Sequence, residues 1–178
     1  MEAKDVAAYI LEKKGSLTGF QLQKLLYYCQ AWNLVFMGDP LFEDQIEAWE
    51  HGPVVPSVSR LHQHAYWVNR RHIADADSRN IPLADQCLID AVLDSYGDLS
   101  GDQLEQLTHS EAPWRDAFNG STYYQSQVIA PETMREYYAA LSASDTAARS
   151  GHIVPRFSCP RHVYVSDDDF DWLMQDDE

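Results

Sequence analysis

Thr18 to Pro56, TGFQLQKLLYYCQAWNLVFMGDPLFEDQIEAWEHGPVVP, joins a capped, almost wholly apolar helix to a rigid turn rich in Gly and Pro. Thr18 stands as a helix N-cap with Gln21 as its capping-box partner, while Leu17 and Leu22 are placed to close a hydrophobic staple. Gly38 can take the left-handed conformation and Pro40 blocks continuation, so the spacing predicts a helix to Phe36 or Met37, about five turns. Leu22, Leu25, Leu26, Cys29, Asn33 and Phe36 form one stripe at helical spacing, and Tyr28, Ala31, Trp32 and Val35 form a second on the opposite side. A helix apolar on two sides belongs at the centre of its fold, so Leu22, Leu25, Leu26, Cys29, Trp32 and Phe36 are expected in the core. The polar remainder, Gln21, Gln23, Lys24, Gln30 and Asn33, is left a narrow strip toward water.

Outward from this helix the chain reads as further helices. One is expected over about Ala3 to Lys14, ended by Gly15, and a short strand is compatible with the alternation around Ile46 to Glu50. A third helix starts near Pro53 or Pro56 and runs to about Trp67, and residues 69 to 82 look like a surface loop. Helices follow over Leu83 to Tyr96, from Ser100 (with Gln103 as capping-box partner) to His109, over Pro113 to Phe118, and over Pro131 to Leu141. The expected fold is mainly α: a single-domain helical bundle around a central apolar helix, with short strands possible, over residues 1–142. Residues 143–178 read as a linker and an acidic C-terminal appendage.

The formal net charge of −15 over 178 residues argues against nucleic acid or an anionic membrane as partner, since either needs clustered Lys and Arg. Cys29, Cys87 and Cys159 are odd in number and widely spaced, which fits a reducing compartment. No leader pattern opens the chain and no apolar run is long enough to span a bilayer, so a cytoplasmic location is expected. The segment SDDDFDWLMQDDE at 166–178 carries seven acidic and no basic residues, with Phe170, Trp172, Leu173 and Met174 as the apolar face of a short amphipathic helix.

The blocks LQKLLYYCQAW at 22–32, GDPLFED at 38–44 and IEAWEHGPVVPSV at 46–58 resemble the Panacea antitoxin domain, the family of the SocA-like proteolytic adaptor and many phage-associated proteins. LTHSEAPWRDA at 107–117 resembles that family's second motif, and VIAPETMREYYAAL at 128–141 its closing helix. The resemblance implies a non-enzymatic antitoxin that neutralises a cognate protein toxin, either by occluding it or by delivering it to an ATP-dependent protease. An acidic chain suits a basic toxin. Self-association is left open.

The sequence carries no nucleotide-binding, zincin or nucleophile-elbow motif, and no cofactor is called for. His62, His64 and His72, or Cys159 with His162, lack the paired clusters of a metal site. A Cys29, His51 and Asp44 nucleophile set is disfavoured by the apolar setting of Cys29. His109 and Glu111 read as a helix end and the next helix start. Trp49, Glu50 and His51, in the rigid turn before Gly52 and Pro53, form a recognition platform in which Trp49 also plugs the core. The alternatives from other classes are a small hydrolase or nucleotide-modifying enzyme using His51 or His109, and an acidic decoy of nucleic acid.

Overall fold

Thr18 caps its helix as the spacing requires: its hydroxyl accepts from Gln21 N at 3.2 Å, and Gln21 Oε1 accepts from Thr18 N at 3.1 Å. The computed structural model describes residues 1–119, 127–144 and 151–157. In chain order it has α1 (Ala3–Lys14), β1 (Leu17–Thr18), α2 (Gly19–Phe36), β2 (Glu47–Trp49), β3 (Gly52–Val54) and α3 (Pro56–Ser59). These are followed by β4 (Trp67–Val68), α4 (Leu83–Tyr96), α5 (Gly101–Ser110), α6 (Ala112–Phe118), β5 (Gln127–Val128) and α7 (Pro131–Ser142). The protein is mainly helical with a few short antiparallel strands.

Helix α2 touches α1, α4, α5 and α7. Leu22, Leu25, Leu26, Cys29 and Trp32 are buried there, while Phe36 is half-buried and stacks on Trp32 at one side and Phe157 at the other. Two small sheets flank the helices. Strand β1 pairs with β4, and β2 lies between β3 and β5 with Trp49 opposite Gly52 and Glu47 opposite both Val54 and Val128. Residues 151–157 return to the body, where Tyr96 donates its hydroxyl to the Ile153 carbonyl at 2.6 Å and accepts from Trp32 Nε1 at 3.0 Å.

Three expectations are corrected. The helix expected from Pro56 to Trp67 stops after one turn at Ser59 and continues as a 3₁₀ turn over Arg60–His62, because the chain is drawn back toward β1. Gly19 N donates to the Tyr66 carbonyl at 3.3 Å, and His62 is held by Gln23. Residues 69–82 are not a bare surface loop. They contain 3₁₀ turns at Arg70–Ile73 and Ser78–Asn80 and bury Ile73, Ala76 and Ile81, with the Arg70 guanidinium donating to the Ile73 and Ala76 carbonyls and to Glu12.

The third correction concerns the polar residues of α2, for Gln23, Lys24, Gln30 and Asn33 are all buried. A buried amide must be bonded, and these amides bond the loops that follow the helix. Gln30 Oε1 accepts from Leu41 N at 2.9 Å and Phe42 N at 3.1 Å, and Gln30 Nε2 donates to Phe42 O at 3.1 Å. Asn33 Nδ2 donates to Asp39 O at 2.8 Å, and Gln23 Oε1 accepts from Val55 N at 2.8 Å. Among the described residues no helix is long and apolar enough to cross a membrane.

Candidate functional site

The β2–β3 hairpin turns through Glu50 and His51 and resumes at Gly52, whose φ of 105° lies in the region that favours glycine. A Cβ there would also stand 2.6 Å from Lys24 Cε and 3.1 Å from Thr108 Oγ1, so the backbone lies directly on the buried lysine. His51 is exposed, with Nδ1 3.2 Å from Glu105 Oε1 on α5 and its ring 5.5 Å from Phe20 in edge contact. Glu50 is exposed. Trp49 is half-buried rather than a core plug: its indole donates to Glu47 Oε2 at 2.8 Å, and its carbonyl accepts from Trp114 Nε1 at 3.0 Å. Trp114 in turn stacks on His109 with centroids 3.8 Å apart.

Lys24 lies at the centre of this arrangement. Its side chain is fully buried, its Nζ has no hydrogen-bond partner among the described residues, and the centroid of the Phe20 ring stands 5.5 Å away. Burial lowers its pKa to about 8 against a smaller opposing pull from the Glu105 carboxylate. His109 Nε2 is a second buried nitrogen without a partner, and burial lowers that imidazole's pKa also. Beside the hairpin a cleft of about 260 Å³ opens between Phe20, Gln23, Trp49, Val54 and Tyr66. Its rim is aromatic, since Phe20 and Tyr66 are 48% and 72% exposed, and Trp67, 58% exposed, stands in edge contact with Tyr66. Apolar rings left this open on one face mark interaction surfaces more often than catalytic ones.

The other candidates are separated by their partners. Cys29 is buried, which raises its thiol pKa far above the ordinary value, while Asp44 accepts from Ala3 N and Ser57 Oγ and His51 faces Glu105. The Cys29, His51 and Asp44 set is therefore not assembled. Glu111 does not face His109. Its carboxylate accepts from Tyr28 at 3.0 Å and Tyr138 at 2.6 Å, and burial raises its pKa to about 7 despite those two bonds. His62 is buried and accepts from the Gln23 amide at Nε2, which fixes its proton on Nδ1, whereas His64 is exposed and His72 accepts from Asn69 N. Among the described residues no three of His, Cys, Asp and Glu converge to hold a metal. Cys159, His162, Phe170, Trp172, Leu173 and Met174 lie outside the described residues.

Sequence reasoning missed Lys24, Glu105 and Thr108. For Lys24 a signal existed: it is the one cation in an eighteen-residue helix that contains no acidic residue to pair with it.

Residues 22–115, which hold all but the first turn of α2, the hairpin, Lys24 and His109, match the model of the SocA-like antitoxins, the Panacea domain. The chain belongs to this family. It is 33% identical over 137 residues to Antitoxin SocA of Caulobacter vibrioides (strain NA1000 / CB15N), a match that covers 67% of this chain and 72% of the relative. No solved structure matches the chain. Membership in the family points to an antitoxin role and to a toxin as the general kind of partner.

Proposed function

We propose that this Panacea-domain protein neutralises a cognate protein toxin by direct binding, with the hairpin residues Trp49, Glu50 and His51 and the aromatic rim of Phe20, Tyr66 and Trp67 as the contact surface. The observation that carries this reading is the position of that rim: the exposed rings of Phe20 and Tyr66 share a cleft with Trp49 of the rigid turn, and Trp67 adjoins Tyr66. Aromatic anchors on a rigid backbone bind at low entropic penalty, because few torsions are fixed on association. The net charge of −15 favours a basic toxin through faster encounter and rejection of acidic competitors.

The segment 166–178 adds a second contact in this proposal, its aspartates meeting the toxin's cations and Phe170, Trp172, Leu173 and Met174 entering an apolar groove. Delivery of the captured toxin to an ATP-dependent protease is the further step that the adaptor member suggests, and direct occlusion is the simpler mechanism. Co-expression with the product of an adjacent toxin-like gene should restore growth, and the two should elute together at modest salt. If that product is harmless alone and no complex forms, the reading fails.

A further inference from the structure

Four polar side chains of α2 are buried, and three of them are bonded to the loops they support. Lys24 alone makes no hydrogen bond with its charged group. A buried ammonium with no partner is destabilising unless something arrives to pair it. Two groups are known to lie against Nζ. One is the Gly52 backbone, where an added Cβ would lie 3.0 Å from Nζ. The other is the Phe20 ring, itself 48% exposed. The backbone is fixed in a hairpin, while an exposed phenylalanine can change rotamer on the nanosecond scale.

We propose that Lys24 is the buried anchor of a carboxylate socket, uncovered when the Phe20 ring swings aside, that receives an acidic side chain or the chain terminus of the partner protein. Two donors flank the site: the Lys24 ammonium and the Thr108 hydroxyl, both beside Gly52. Thr108 Oγ1 now donates to the Glu105 carbonyl at 3.0 Å and can be redirected. The nearby acid, Glu105, is engaged by His51 at 3.2 Å and so does not occupy the socket. Its charge selects the ligand by degree: a carboxylate neutralises Lys24 while bringing one negative charge near Glu105, whereas a phosphate dianion brings two and meets about twice the repulsion. The inference rests on the toxin-binding reading only for the source of the carboxylate, and the socket itself is testable without a toxin.

The full-length chain is melted at pH 7 and fixed ionic strength while sodium acetate replaces sodium chloride. The wild type should show a saturable rise in melting temperature, and Phe20→Ala, which lacks the lid, should reach half-saturation at several-fold lower acetate. Lys24→Met should melt higher than wild type in chloride and give no acetate response. An acetate response that survives in Lys24→Met overturns the socket, as does its absence from both the wild type and Phe20→Ala. A phosphate response equal to that of acetate overturns the carboxylate assignment. With the cognate toxin, loss of binding in the better-folded Lys24→Met variant supports the partner as source, and unchanged binding overturns it. A wild type that responds to acetate yet binds no toxin would sink the antitoxin reading and leave the socket standing.

Discussion

The Tyr138 hydroxyl donates to the Glu111 carboxylate at 2.6 Å and so ties α7 to the start of α6. Tyr138 has one proton and a second hydroxyl, that of Tyr27, lies 3.2 Å away, so Tyr27 donates to Tyr138 and Tyr138 to Glu111. Burial raises the Glu111 pKa from 4.5 to about 7, so the folded state holds a proton that the unfolded chain has released. That contribution is full below pH ~4.5 and is lost as pH rises through about 7, a decline of about 3 kcal/mol if it acts alone. Glu111→Gln should flatten this part of the stability–pH curve. Denaturant melts at several pH values check it, and an equally steep curve in the variant would place the proton elsewhere.

Lys24 works in the opposite direction. Its folded pKa is lowered from 10.5 to about 8, so its contribution to stability is present above pH 10.5 and lost as pH falls through about 8. At pH 7 the protein carries the full penalty of the buried ammonium, and Lys24→Met should melt higher than wild type. That advantage should shrink between pH 8 and pH 10.5. A constant advantage across that range would show that packing, not charge, separates the two proteins.

Tyr96→Phe removes the single atom that joins Trp32 to Ile153. An indole N–H and a carbonyl lose their partner together, at about 1–3 kcal/mol. Amide exchange should quicken around residues 151–157 more than in α2. Uniform quickening would mean that the segment is no separate unit.

Leu26→Asp places a charge at a fully buried position of α2 and should unfold the domain, as the sequence already implies. Trp49→Ala should be milder, about 1–2 kcal/mol, because Trp49 is half-buried and bonded at its rim. Circular dichroism melts distinguish them: a Trp49→Ala variant as damaged as Leu26→Asp would restore Trp49 to the core.

Capping chemistry explains what could be read from the sequence. Thr18 with Gln21, and Ser100 with Gln103, form capping boxes at the two helix starts where the pattern places them, and Gly15 ends α1 with a φ of 80°. These are local signals, complete within four residues. Within residues 56–82 the local caps, Asn69 with His72 and Asp77 with Arg79 N, start only single 3₁₀ turns. The path of the segment is set by distant groups, among them Asp5, which accepts from Asp77 N, and Gln23, which bonds Val55 and His62. At the site the turn was legible because Gly52 and the prolines are local, whereas the approach of Lys24 to Gly52 depends on how the hairpin docks.

The amide brackets of α2 have a consequence for divergence. Gln30 and Gln23 grip Leu41, Phe42 and Val55 through backbone N–H and carbonyl groups that every residue type except proline supplies in full. A grip on the main chain is blind to the side chains it carries. Outward-facing side chains near these grips, such as those of Glu43 and His51, can therefore be exchanged without unfastening the loop from the helix. A lineage confronted with a new toxin could rewrite its recognition surface one side chain at a time over an unaltered frame.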